Sequence, residues 1–120
     1  MVTEPLFHVA LAGDWGAAQA VGEYRVSTVG VTLEQEGFLH ASFAHQWRGV
    51  LARYYRDLGE PLVLLTIDPS RVHVPVVVET PEGADEAFPH LYGALALDAV
   101  VDARPVDPSE GDPSEGDPTA

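Results

Sequence analysis

Five histidines, His8, His40, His45, His73 and His90, are the residues of this chain best suited to moving protons, gripping a ligand or binding a metal. His8 lies in an apolar run, Leu6 to Leu11. Strand periodicity puts it on the face of Leu6 and Ala10, opposite Phe7 and Val9. It is then either a pocket-lining donor or a core histidine satisfied by a backbone partner. His40 lies between Leu39 and Ala41, with Ser42 two residues on and so on the same strand face. A ring and a hydroxyl so placed can grip a ribose or an amide, although Ser42 can equally cap a following helix. His90 stands in Phe88-Pro89-His90-Leu91-Tyr92-Gly93 and shares a face with Tyr92. Pro89 stiffens the approach and Gly93 permits an unusual backbone angle, which suits a preformed site. The alternative there is a turn held by aromatic packing.

The other candidates are weaker. Glu79 ends a strand and is the best-placed lone carboxylate, unless it is an ordinary surface glutamate. His45 shields a helix start, and His73 beside an edge proline faces solvent. The chain contains no glycine-rich phosphate loop, no nucleophile elbow and no His-Glu-x-x-His helix. Without cysteine it has no disulfide, thiolate metal site or thiol nucleophile. A metal site from His8, His40 and His90 remains conceivable in chemistry, with three imidazoles and an open position.

The elements that must position these residues can be read from pattern. Residues 6–11 predict a first strand. Asp14 is a candidate cap for a short helix ending at Gly22. Residues 24–32 are extended or looped, and residues 37–42 form a short strand. Phe43, Trp47, Val50, Leu51, Tyr54 and Leu58 then follow at spacings of three and four, predicting one amphipathic helix of about four turns. Gly59 and Pro61 stop it. Residues 61–68 are apolar on both faces and predict a central, doubly covered strand. Residues 72–79 contain Pro75, which belongs on an edge or at a bulge. A last strand covers residues 97–106. Strands and helices do not alternate, so the fold expected is α+β: a mixed, mostly antiparallel split sheet with one long and one short helix.

Composition bounds what such a domain can do. The 120 residues are 46% hydrophobic and 21% charged, and suit a single domain at 1–106. Net charge is −13, and all six basic residues are arginines. Five of the 19 acids lie from Asp107 onward, leaving 14 acids against those six arginines in the body. Such a field disfavours general nucleic-acid binding. The start has no basic, apolar leader and no run approaches a membrane span, so no membrane association and a cytoplasmic location are expected. Residues 107–120 repeat Asp-Pro-Ser-Glu-Gly, with no large apolar residue, and are expected to be a disordered acidic tail.

Four segments, Leu6-Phe7-His8-Val9, Asp14-Trp15, Glu36-Gly37-Phe38-Leu39-His40-Ala41-Ser42 and Phe88-Pro89-His90-Leu91-Tyr92-Gly93, together resemble a bacterial and plant family called domain of unknown function nine hundred and fifty-two. The likeness also takes in residues 62–68, leaving only the tail outside. The usual motif in that family reads Ile-His-Cys-Ser, so Ala41 stands where a thiol is sometimes present. The family is described as similar in fold to ADP-ribosyltransferases. That resemblance implies a split sheet with a cleft able to hold nicotinamide adenine dinucleotide (NAD) as a substrate, with no cofactor required. It would match His8 to the first element of such a site and His40 with Ser42 to the second. The third falls to Glu79 or to the His90–Tyr92 pair.

Three functions compete on this reading. The first is transfer of ADP-ribose or a related nucleotide phosphate group. His8 and Ser42 would hold the ribose, while His40 or His90 takes the acceptor's proton. Glu79 would stabilise developing positive charge, and Arg25 is the expected cation for the pyrophosphate. The second is a non-catalytic module for a nucleotide or small metabolite. The third is the three-histidine metal site.

Overall fold

The segment Leu-Val-Leu-Leu-Thr-Ile is the organising strand of the molecule. A computed structural model describes residues 2–111 and places this segment as β6 (Leu62–Ile67), between β1 (Leu6–Leu11) and β10 (Val100–Val106), antiparallel to both. Its alternation explains the two cores. Leu62 and Leu64 face one side, with Val9, Trp47, Leu51 and Val106. Leu65 and Ile67 face the other, with Leu6, Ala10, Tyr24, Leu39 and Leu91. Burying a leucine or isoleucine fully stabilises the fold by about 1.5–3 kcal/mol, so a strand that does this on both faces must be central.

The helices cover those faces. α1 (Ala12–Val21) follows β1 directly and closes on Gly22, whose φ of 101° is the left-handed conformation that glycine adopts without strain. Asp14 lies in its first turn and does not cap it. Short strands β2 (Glu23–Tyr24), β3 (Val26–Thr28) and β4 (Val31–Thr32) lead to a one-turn helix, α2 (Leu33–Glu36). Thr32 and Gln35 cap α2 reciprocally. The second helical layer is α3 (Trp47–Tyr54).

Here the sequence reading needs correction. The four-turn helix expected from Phe43 to Leu58 is only eight residues long, and the longest helix is α1 with ten. Gln46 uses its side-chain oxygen to accept the Phe43 N–H at 2.9 Å, which holds residues 43–46 as a turn. Phe43 and Leu58 still pack against the cores from outside the helix, so apolar spacing alone overextended it. Tyr55 is buried in place of Tyr54, which is 46% exposed.

A second antiparallel sheet runs in the order β5 (Leu39–His40), β8 (Phe88–Leu91), β7 (Val76–Glu79). β9 (Leu95–Ala96) pairs with β2. The chain stitches the sheets together just after β5, where Phe7 and Ser42 exchange two backbone hydrogen bonds of 2.8 Å. The α+β class and the division into sheets are as expected. Every strand pair among the described residues is antiparallel, so the expected mixed character is absent there. β7 begins after Pro75 and is an edge, as a missing N–H requires. No helix among the described residues is long and apolar enough to cross a membrane.

The first Asp-Pro-Ser-Glu-Gly copy departs from the tail expectation. Asp107 caps a 3-10 turn, Pro108–Glu110, and Gly111 lies so close to α3 that a Cβ there would meet the Ala52 nitrogen at 2.9 Å. Arg104 pairs with Glu110 at 3.2 Å. The short Asx-type cap gives this copy local order that composition does not reveal. The rest of the expected tail, residues 112–120, lies outside the described residues.

Candidate functional site

The pairing of β5, β8 and β7 assembles a row of polar side chains on one sheet face. His40 is directly opposite His90, and His90 is directly opposite Val77. Residues opposite one another point to the same face, as do residues two apart on a strand. Phe38, His40, Phe88, His90, Tyr92, Val77 and Glu79 therefore share one face. Leu39 and Leu91 point to the other, into the core.

The polar members join end to end. His90 Nδ1 donates to Glu79 Oε1 at 2.7 Å, and the Tyr92 hydroxyl donates to the same oxygen in a short hydrogen bond. These two donors, Tyr92 first and His90 second, hold the Glu79 carboxyl below its ordinary pKa, so it is an acceptor. Glu79 in turn pushes the Tyr92 phenol up. His90 Nε2 lies 3.3 Å from His40 Nδ1. The Phe38 ring stacks on His90 at 3.9 Å between centroids, and Phe88 tilts against His40 at 4.9 Å. His90 is only 2% exposed.

His40 is the inner end of this row and borders an open cleft of about 230 Å³. Its ring is held down to a pKa of about 3, first by burial and then by the neighbouring His90 and His8 rings. It is therefore neutral near pH 7. With Nδ1 committed to His90, Nε2 has no partner among the described residues. The backbone N–H of His40 donates to the Ser27 hydroxyl at 3.1 Å, which fixes the strand edge. Val50, Arg53 and Tyr54 from α3 and residues 81–84 from the β7–β8 loop line the cleft with His40. Glu36 and Glu82 also line it, so the walls combine aromatic rings, two carboxylates and one guanidinium.

Two protonation patterns fit these positions. In one, His40 Nδ1–H donates to His90 Nε2 and His40 Nε2 is a bare lone pair. In the other, His40 carries its hydrogen on Nε2, and His90 Nε2–H donates to His40 Nδ1. The second pattern holds one more proton, and its positive charge rests on His90 beside Glu79. A proton taken up at His40 in this pattern appears as charge on the neighbouring ring, next to a carboxylate.

The remaining expected site residues fall elsewhere. His8 is 6% exposed and packs in the core. Its Nδ1–H donates to the His40 carbonyl at 2.7 Å, and its Nε2 accepts from the Tyr24 hydroxyl at 3.0 Å. Burial, partly opposed by the bond to His40, brings its pKa to about 4. Both ring nitrogens are used, so His8 is the satisfied core histidine and not a cleft donor. For the same reason three imidazoles do not converge, and no group of three metal-ligating side chains occurs among the described residues. Ser42 is buried at the sheet junction and is not a helix cap, because α3 starts later. Arg25 is tied to Glu23 and Glu34 on the surface; the cleft arginine is Arg53. Glu79 and Tyr92 stand behind His90 and do not line the cleft. Gly93 has no positive φ; a Cβ there would sit 2.4 Å from Val74 Cγ1, so close packing demands the glycine.

Sequence reasoning missed Phe38, Arg53, Tyr54, Glu36 and Glu82 as cleft residues. Phe38 was within reach, because it precedes His40 by two and must share its face. The others come from α2, α3 and a loop, and nothing local marks them.

The sequence pattern of the family described as Protein of unknown function (DUF952) matches residues 9–103. The chain belongs to that family. Its fold is similar to the X-ray crystal structure of protein CC0527 from Caulobacter crescentus, at 27% identity over 86% of each chain with a TM-score of 0.73. It is also similar to the solution NMR structure of CC0527, at 27% identity over 86% of this chain and 84% of that one, with a TM-score of 0.70. Among curated proteins none matches.

Proposed function

We propose that the domain is a nucleotide-acting group-transfer enzyme, with NAD as its candidate substrate and His40 as the base in its cleft. The observation that carries this reading is the His40–His90–Glu79 row, which ends in an unpartnered imidazole nitrogen at the cleft. The ADP-ribosyltransferase-like fold expected from the sequence resemblance motivates the choice of substrate. The walls support it too. Glu36 and Glu82 favour a cationic pyridinium ring, Phe38 and Tyr54 offer aromatic surface, and Arg53 suits a phosphate.

The chemistry follows from the row. The bond between ribose C1′ and the nicotinamide nitrogen breaks, and its electron pair leaves with nicotinamide. An acceptor oxygen bonds to C1′ and loses its proton to His40 Nε2. The Nδ1 proton of His40 moves to His90 Nε2, and the charge settles beside Glu79. Glu36 and Glu82 stabilise positive charge on the ribose as it develops. General-base catalysis of this kind contributes about 10²–10⁴-fold.

A second reading, a non-catalytic binding module, draws on cleft size. About 230 Å³ is below the ~300–1,000 Å³ of most small-molecule sites and fits one ring and a sugar better than a whole dinucleotide. Calorimetric titration of the full chain with NAD, beside His40→Ala, tests both. Binding lost in the variant together with nicotinamide release supports transfer. Binding without release supports the module. No binding to folded protein at millimolar NAD rejects the dinucleotide.

A further inference from the structure

Gln46 lies outside the histidine row, yet its side chain is 1% exposed and fully engaged. Its oxygen accepts the Phe43 N–H at 2.9 Å. Its amide nitrogen donates to Glu86 Oε1 at 2.7 Å and to the Ala87 carbonyl at 2.8 Å. A donor faces the oxygen and two acceptors face the nitrogen, so the amide has one orientation that satisfies every partner. These partners belong to different walls. Gln46 is the residue from which α3 starts, and α3 supplies Val50, Arg53 and Tyr54 to one side of the cleft. Glu86 and Ala87 end the β7–β8 loop, which supplies residues 81–84 to the lining of the same cleft.

We infer that Gln46 is a positioning residue that clasps the two walls of the cleft and sets its width, so that ligand affinity depends on an amide that never touches the ligand. Ala84 of the loop also packs against the core cluster that includes Trp47, Val50 and Leu51. Glu86 reaches one further partner, the mostly exposed His45 ring, at 3.4 Å. The internal hydrogen bond from Ala84 N–H to Pro81 O shapes the loop without anchoring it to α3. Buried side-chain amides with complete partners rigidify what they join, and a pocket wall is where such rigidity changes binding. The part of this inference concerning affinity rests on the cleft being the ligand site; the clasp itself does not.

Gln46→Glu puts a carboxylate against the Glu86 carboxylate and the Ala87 carbonyl, and supplies no hydrogen to either. Hydrogen exchange in the full chain should then quicken about tenfold or more across residues 80–87, while β6 amides keep their protection. The affinity for NAD should weaken about tenfold. Adding Glu86→Gln restores a donor between the two side chains and should recover both readouts in large part. Glu86→Ala, at a side chain 34% exposed, is the milder variant and should quicken loop exchange without threatening the fold. Unchanged loop exchange in both Gln46→Glu and Glu86→Ala would overturn the clasp. So would a double variant no better than the sum of its singles. If the native chain ignores NAD, the proposed substrate fails, and loop exchange still decides the clasp.

Discussion

His8 and His40 are joined by a single hydrogen bond, ring to carbonyl, yet they belong to regions with opposite physics. Around His8 the His40 carbonyl and the Tyr24 hydroxyl supply a partner for each ring nitrogen, and the ring is sealed in the core. Around His40 the second sheet supplies a partner for one nitrogen and leaves the other without one among the described residues, on a ring that borders a cleft. Both rings are kept neutral, chiefly by burial, to about 4 and about 3. A depressed pKa therefore does not separate the core histidine from the cleft histidine. The unfilled nitrogen does.

The largest way to break this contrast is to truncate each ring. His8→Ala opens a void and leaves the Tyr24 hydroxyl and the His40 carbonyl without their partner, and should cost about 4 kcal/mol of stability. His40→Ala, at the cleft wall, should cost only about 1 kcal/mol while abolishing ligand-dependent turnover. Urea unfolding of the two variants beside an activity assay makes the comparison. Equal losses of stability would remove the distinction drawn between the two rings.

Acid titration separates them next. An unfolded histidine binds a proton near pH 6.5, whereas native His8 does so only near 4. Between those values the unfolded state holds more protons, so stability is complete above pH 6.5 and falls as pH drops toward 4. A displacement from 6.5 to about 4 corresponds to about 3 kcal/mol. His40 adds a loss in the same direction, extending to about pH 3. His8→Asn keeps a donor near the His40 carbonyl and removes the titrating group. Its urea midpoint should fall less between pH 7 and 4.5 than that of the native chain. An equal fall would mean that His8 is not the buried neutral group responsible.

Period and composition carry much of the site's layout in the sequence itself. The face shared by His8, Leu6 and Ala10 follows from alternation, and so do the pairs His40 with Ser42 and His90 with Tyr92. The doubly apolar run in β6 announces a central strand. What no local pattern contains is register. His40 and His90 are 50 residues apart, and only the pairing of β5 with β8 sets them opposite each other. The same pairing places Glu79 behind His90 instead of beside a ligand. Arg25 looked available because its partners Glu23 and Glu34 come from β2 and α2, whose approach the sequence does not disclose.

Gly93 offers a smaller test of the same point. Its place beside His90 and Tyr92 in sequence suggests a site residue, and the structure gives it a packing role against Val74. Gly93→Ala should cost about 1–3 kcal/mol through overpacking. Adding Val74→Ala should recover part of that loss, with the cleft's affinity for NAD unchanged throughout. Weakened binding in the repacked double variant would return Gly93 to the site.

The smallest expected effect lies at Ser27, and it isolates the second region from the first. Ser27 is fully buried and accepts the His40 N–H from the open side of β5. The His8 bond takes the carbonyl of the same residue, so His40 is held from the core through its oxygen and from the β3–β4 hairpin through its nitrogen. Ser27→Ala leaves one buried N–H unpaired and should cost about 1 kcal/mol. If the hairpin tie positions the proposed base, His40, turnover should fall with it, while acid sensitivity from His8 stays as in the native chain. The His40 and His90 ring resonances should shift together, because one ring cannot move without lengthening its 3.3 Å contact to the other. If those resonances stay fixed and turnover is unchanged, the His8 bond and the Phe88 ring suffice to place His40, and the two regions are more strongly coupled than their chemistry implies.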